Sequence, residues 1–439
     1  MDTYDTQIID YLPQGYRLNL STGYTIVVVR HLKQGGFANT YLSTCRIGAY
    51  TEEQTFLLKE YFPRNYCRRA DDGISVIFDN NPIVDEYRAK FRSETEKIAA
   101  HEELMNHPNI VKVIDRFSSN GTEYYVMEYL SNGALWDIVK QRKSPLTTEK
   151  AINYFIGVCD ALEAFHNIKM IHNDISPSNI AVDKNDVAKL IDFGISKTFN
   201  VNGLPNTIIN STSYNPDFCS PDQLIRNDIF IPESDIYSLG ATLYFVITGK
   251  IFNRDNSIQL DKNHVLYEII YQSLNINNSE RCKSAKDFKK GLEKARDTYN
   301  KKKLNIEQVL NKISIIRKWR LYLFAFFSPL IYCTFLFDKF MIAVLLILLL
   351  VVLMQYVGNK ISLHINDIKV LDCEIKHDIV SLIVLGNSCD VTSISDQLKM
   401  KPEIIESELL DLETDKKLTR VKSGKLVTWV VNNGIQEAS

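Results

Sequence analysis

The chain has 439 residues, room for two to four domains at about 100–200 residues each. A charged fraction of 24% and a hydrophobic fraction of 45% exclude a wholly disordered, collagen-like or low-complexity protein. With 51 Lys+Arg against 53 Asp+Glu the net charge is -2, so the chain as a whole is not built for a nucleic-acid surface. The 8 cysteines are dispersed without a C-x-x-C pair and do not cluster with the histidines. They make no zinc site or disulfide framework and suit a reducing compartment. Met1-Asp2-Thr3-Tyr4-Asp5 lacks the basic and apolar regions of a secretory signal.

Residues 1–23 read as an N-terminal extension. Tyr24–Leu32, Thr40–Arg46 and Thr55–Tyr61 are β-branched and aromatic runs separated by short turns, the pattern of strands. Between the first two lies Lys33-Gln34-Gly35-Gly36-Phe37-Ala38-Asn39-Thr40. A glycine hairpin there lets backbone N–H groups approach phosphate oxygens, although an ordinary β-turn uses the same residues. Lys59 sits among apolar residues in the third strand and must snorkel or meet an acid. Glu94 is the candidate partner, on a helix over 84–105 whose face carries Tyr87, Phe91, Thr95, Ile98 and Leu104. A surface salt bridge is the plainer reading of Lys59. Val111–Phe117 and Tyr124–Tyr129 complete a five-stranded sheet. Helical patterns over 134–141, 148–168, 234–248 and 284–299 follow, so the order is α+β.

Between the helices stands His172-Asn173-Asp174-Ile175-Ser176-Pro177-Ser178-Asn179, followed by Asp192-Phe193-Gly194. Phosphoryl transfer needs a carboxylate to orient a hydroxyl and hard oxygen ligands for Mg²⁺. Asp174, Asn179 and Asp192 supply those groups at loop spacing.

Seven basic residues lie between 301 and 320, opposed by Glu307 alone, and read as a basic linker over 299–320. Leu321–Phe337 (17 residues) and Phe340–Val357 (18 residues) carry no charge and are parted by Asp338-Lys339. About 18 helical residues reach about 27 Å, near a bilayer core, so residues 321–358 predict a transmembrane hairpin. The basic flank puts the turn outside, with both large parts in the cytoplasm at the inner membrane. Residues 362–434 read as three helices and a β-hairpin, which resembles a winged helix. From residue 360 onward, 10 Lys+Arg stand against 13 Asp+Glu, and the third helix carries Glu403, Glu406, Glu408 and Asp411. That disfavours nucleic acid and favours a protein partner.

The order of glycine hairpin, strand lysine, helix glutamate, H-x-D-x-x-x-x-N loop and Asp-Phe-Gly resembles the protein kinase superfamily. The resemblance covers residues 24–298. Its local wording is similar to bacterial eukaryotic-like Ser/Thr kinases: Lys59-Glu60-Tyr61-Phe62-Pro63, His107-Pro108-Asn109-Ile110-Val111 and Ser234-Asp235-Ile236-Tyr237-Ser238-Leu239-Gly240. It implies a bilobal kinase fold, with an N-lobe over 24–132 and a C-lobe over 133–298, and transfer of the ATP γ-phosphate to a protein Ser/Thr hydroxyl. Lys59, held by Glu94, would grip the phosphates, Asp174 would accept the hydroxyl proton, and Asn179 and Asp192 would hold Mg²⁺. Lys33, Gln34, Gly35, Gly36, Phe37, Ala38 and Thr40 would line the nucleotide site. Met127 would be the gatekeeper, Glu128, Tyr129 and Leu130 the hinge at adenine, with Leu57 above the ring and Ala181 beneath. Asp235 would anchor the catalytic loop, and Asp222 would pair with Arg281. Asn173 stands where the family sets an arginine that receives an activation-loop phosphate, so that switch is expected to be missing. A homodimer is allowed. The rival reading is a pseudokinase scaffold that binds nucleotide or partners without catalysis.

Overall fold

A computed structural model describes residues 10–46, 53–141, 145–193, 197–198, 215–225, 231–254, 257–277, 279–336, 346–347, 349–357, 359, 405, 409, 418–423 and 426–431. The chain divides into two compact units, residues 1–141, 150–258 and 268–292 in the first and 142–149, 259–267 and 293–439 in the second.

The first unit opens with β1 (Arg17–Asn19), β2 (Thr25–Gln34), β3 (Ala38–Cys45) and β4 (Gln54–Tyr61). A short hairpin, β5 (Cys67–Arg69) and β6 (Val76–Phe78), then leads to α1 (Pro82–Ala99) and α2 (Glu102–Met105). β7 (Val113–Ser119) and β8 (Thr122–Glu128) follow, and the antiparallel sheet runs β1-β2-β3-β4-β8-β7. It therefore has six strands, one more than the sequence pattern predicts. The additional strand, β1, is too short to show alternation.

Burial alternates strictly along β3, with Asn39, Tyr41, Ser43 and Cys45 inward. The same period along β4 turns Phe56, Leu58 and Glu60 to one face and Leu57 and Lys59 to the other. Leu12, Leu18 and Leu20 cover the first of these faces and share a core with Ile26, Tyr41, Phe56, Leu58 and Tyr124. The predicted helix over 84–105 is two helices. Asn81 caps α1 by accepting from Ile83 N at 3.1 Å, with Pro82 at its first turn. The chain leaves the helix at Ala100, and His101 is extended before α2 begins.

β9 (Gly133–Ala134), α3 (Leu135–Gln141), α4 (Thr148–Asn167), β10 (Met170–Ile171), β11 (Ile180–Val182), β12 (Ala188–Leu190) and β13 (Lys197–Thr198) come next. They are followed by α5 (Pro221–Ile225), α6 (Pro232–Thr248) and α7 (Tyr267–Ser273). α6 is buried from Ser234 to Ile247 and ends at Gly249, whose φ of 71° suits a glycine C-cap. Gly240 permits a close approach, since a Cβ there would lie 1.9 Å from Ser273 Oγ.

α8 (Ala285–Leu336) is one helix of 52 residues, where the sequence reading ends a helix near 299 and begins a linker. No Gly or Pro occurs between Gly291 and Pro329 to stop it. Among the described residues no helix is long and apolar enough to cross a membrane. Leu321–Phe337 has 17 uncharged residues, at the short end of the range for a span, and residues 340–345 and 348 of the second predicted segment lie outside the described residues. In the tail, β14 (Leu418–Ser423) pairs with β15 (Leu426–Val431) in the predicted hairpin. Ile405 and Leu409 are helical and buried. The rest of the predicted winged-helix helices lies outside the described residues.

Candidate active site

The loop from β10 to β11 carries His172 to Asn179, and α6 fixes it from beneath. Asp235 Oδ2 accepts from His172 N at 2.9 Å and its Oδ1 from Asn173 N at 2.8 Å. His166 Nε2 lies 2.9 Å from the same carboxylate. Burial works to raise the Asp235 pKa, but the His166 contact and the loop N–H groups outweigh it and hold the carboxyl below its ordinary value. Phe193 is buried, stacked on Phe165 at 5.3 Å and edge-on to His172 at 5.3 Å. These rings seat the turn that presents Asp192, whose φ is 66°.

Asn179 Nδ2 donates to Asp174 Oδ2 at 2.8 Å and to Asp174 O at 2.9 Å. Asn215 N approaches Asp174 Oδ1 at 3.3 Å. Burial, and then the nearby Asp192 carboxylate, push the Asp174 carboxyl up to about 6, against the opposing pull of Asn215 N, Asn179 and Lys90. A carboxylate tuned toward neutrality is suited to accept a proton. Lys59 Nζ, on β4, lies 3.9 Å from Asp192 Oδ2, with side chains 16% and 44% exposed respectively. Lys59 also sits over the Tyr125 ring at 5.4 Å. The structure thus brings together Asp174 with Asn179 and Lys59 with Asp192. Glu94 falls on α1, and its side chain lies outside what is described.

The donor set fits Mg²⁺. Asn179 spends its amide nitrogen on Asp174, which leaves its carbonyl oxygen as a hard donor. Ile191 N donates to Asn179 O at 2.9 Å, so the backbone sets Asn179 beside Asp192. Among the described residues no group of three His, Cys, Asp or Glu side chains could hold a metal. Mg²⁺ needs no such cage, because water and phosphate oxygens complete its shell.

The β2–β3 turn closes through Gly35 N to Ala38 O at 2.8 Å. A Cβ on Gly36 would meet nothing within 4 Å, so the backbone there is open to approach. Lys33 and Gln34 end β2. Ala38 and Thr40 lie on β3, opposite Tyr61 and Lys59. Phe37 packs on Tyr87 of α1 at 4.3 Å. Leu57 pairs in register with Met127, and Ala181 with Ala134. Met127, Leu130 and Ala181 are buried. The Glu128 carboxylate is engaged by Lys189 Nζ at 2.7 and 2.9 Å and Lys112 N at 2.8 Å. Adenine would therefore meet the Glu128 backbone. Asp222 pairs with Arg281 at 3.0 Å.

Three groups escape sequence reasoning. Glu60 is fully buried and accepts from Tyr41 OH at 2.6 Å, Tyr124 OH at 2.7 Å, and Arg69 Nη1 and Nη2 at 2.8 and 2.5 Å. Alternation along β4 was the available signal, since it must turn Glu60 away from Lys59. Asn109 Nδ2 donates to Ala188 O at 2.9 Å, in a space that Gly157 leaves open. Gln223 contacts the catalytic loop, and nothing in its spacing announces it.

Comparisons with known proteins accord with this geometry. A family model described as protein kinase domain matches residues 78–313, just over half of the chain. A probable serine/threonine-protein kinase of Clostridium perfringens is 34% identical over 205 residues, covering 45% of this chain and 28% of that protein. The serine/threonine-protein kinase PknB of Mycobacterium tuberculosis is 34% identical over 181 residues, 40% of this chain and 28% of its own length. The chain thus spans under a third of these relatives' length. The solved structure of PpkA-294 in its apo form aligns with a TM-score of 0.51 at 22% identity, over 65% of this chain and 100% of that one, and supports the fold alone.

Proposed function

This chain belongs to the protein kinase domain family, matched over residues 78–313, and on that footing we propose that it is an ATP-dependent serine/threonine protein kinase anchored to a membrane. The observation that carries the reading is the Asp174–Asn179 pair, hydrogen-bonded at 2.8 Å in a loop that Asp235 holds rigid. Asp174 accepts the proton of a protein hydroxyl as that oxygen attacks the γ-phosphorus of ATP, the bond to the β,γ-bridging oxygen breaks and ADP leaves. Lys59 holds the phosphates, and Leu57, Met127, Leu130 and Ala181 enclose adenine. Asn179 and Asp192 would hold Mg²⁺, which would supply charge neutralisation at the phosphates.

The anchoring half of the proposal rests on the surface of α8. Leu321, Tyr322 and Phe326 are 71%, 65% and 66% exposed, an apolar display that suits lipid better than water. Residues 321–358 form the hairpin in this reading, with both termini cytoplasmic, and the tail is a winged-helix-like module for a protein partner.

Two experiments test the proposal. The full chain, given radiolabelled ATP, Mg²⁺ and casein, is expected to place label on serine or threonine. Absence of transfer by a folded, nucleotide-binding chain would establish the scaffold reading. For topology, Lys339→Cys in a Cys333→Ser background is expected to react with an impermeant thiol reagent from outside intact cells. Labelling of Ser439→Cys from outside would refute the topology.

A further inference from the structure

Asn173 occupies a catalytic-loop position where an arginine would bring a charge that needs an anion. The side chain has found a neutral partner instead. Gln223 Nε2 donates to Asn173 Oδ1 at 2.8 Å and approaches Asn173 O at 3.2 Å. Gln223 Oε1 accepts from Ser220 N at 2.7 Å. Both amides are almost wholly buried, Asn173 at 6% and Gln223 at 3% exposed. Asn173 has a φ of 71°, in the left-handed region that asparagine tolerates better than most residues. Asp235 holds its N–H. Asn173 is therefore gripped at N–H, carbonyl and side chain, directly before Asp174.

The partner segment is fixed as firmly. Arg254 Nη2 donates to Pro216 O at 2.8 Å and Cys219 O at 2.6 Å. Asn215 N reaches the Asp174 carboxylate at 3.3 Å. Residues 215–223 thus meet the catalytic loop at two points, a pair of neutral amides at Asn173 and a backbone N–H on the Asp174 carboxylate.

We propose that Gln223 is a positioning residue for phosphotransfer, a neutral amide clamp that locks the Asn173–Asp174 peptide to the 215–223 segment and makes a phosphate clamp unnecessary. The inference rests on the kinase reading. A buried amide pair has no charge to screen and requires no modification, so the locked geometry is the resting state.

The test compares the full-length wild type with Gln223→Ala and Gln223→Glu, using radiolabelled ATP and casein. The alanine variant is expected to lose at least tenfold in kcat, with KM for ATP within twofold and a retained melting transition. Gln223→Glu keeps the volume and the acceptor for Ser220 N but cannot donate to the Asn173 carbonyl. Its expected loss is smaller, about threefold to tenfold. It carries the test by itself if the alanine variant does not fold. Phosphatase treatment of the wild type is expected to leave kcat unchanged. Wild-type kcat in either folded variant overturns the clamp, and so does a loss in which kcat, ATP affinity and melting temperature fall together. A wild type that transfers no phosphate refutes the kinase reading itself, and the clamp with it.

Discussion

Asp174→Asn should do two opposite things, ending catalysis and strengthening the fold. Burial and the Asp192 carboxylate push Asp174 up to about 6 from an ordinary 3.8. A carboxyl shifted that far disfavours the folded state by about 3 kcal/mol once pH exceeds both values. The sign follows from the direction of the shift. The folded state binds this proton more tightly than the unfolded state, so the group's contribution is neutral below 3.8. It becomes unfavourable as pH rises toward 6 and stays so above it. Asparagine cannot charge, so the variant escapes that cost at pH 8. Its amide nitrogen replaces one of two oxygens that accept from Asn179 Nδ2 and Asn215 N, a loss of about 1 kcal/mol. The net gain is about 2 kcal/mol, or a melting temperature about 4–8 °C higher for a unit of this size. Phosphotransfer should fall by about 100-fold or more, since no base remains to accept the hydroxyl proton. Melting curves at pH 4 and pH 8, with the transfer assay, check both halves. An unchanged or lower melting temperature at pH 8, or an equal gain at pH 4, would refute the reasoning. Retained turnover would remove Asp174 from the reaction.

Arg69→Met should cost about 3–5 kcal/mol, because it strands the Glu60 carboxylate in a site where both side chains are 0% exposed; a melting temperature within 2 °C of wild type would contradict this. Leu57→Ala should weaken ATP binding by opening a void above adenine, and adding Ala181→Leu should recover part of the loss; titration with a fluorescent ATP analogue decides it, and simple addition of two losses would sink the compensation. Replacing Thr207, Ser211, Thr212 and Ser213 together by alanine should leave kcat within a few-fold, because Asn173 carries no charge with which to clamp a phosphate. A collapse of activity with the fold intact would place the phosphate clamp on another residue.

The strands of the first unit were legible because half-buried sheets impose a period of two. The runs at Ala38–Cys45 and Gln54–Tyr61 keep that period, whereas Thr25–Gln34 loses it after Val28, where its pairing with the next strand shifts register. The catalytic loop was legible for a different reason, since its residue types and spacing are set by chemistry rather than by packing. What failed was judgement of charge. Glu60 beside Lys59 reads as a second polar group on one strand, yet the two face opposite sides of the sheet. Arg69, nine residues on, carries no signal of burial in the sequence, and the Tyr41 and Tyr124 hydroxyls complete the buried site it shares with Glu60. Burial and the Glu60 carboxylate push those two hydroxyls up, so they remain donors. The linker misled for the same reason. Lys301-Lys302-Lys303 signals solvent, but lysine is a good helix former and does not interrupt a helix.

Asn173 shows how far a substitution can be read. An asparagine where the resemblance sets an arginine is visible in the sequence and implies loss of a phosphate clamp. What replaces it is not visible, because an amide that meets an amide 50 residues away carries neither charge nor periodicity. Two amides satisfied by each other and by backbone also cost the interior less than a guanidinium awaiting a modification. The same substitution that removes a switch therefore supplies a fixed geometry, and a catalytic loop already locked has no inactive state for a phosphate to correct.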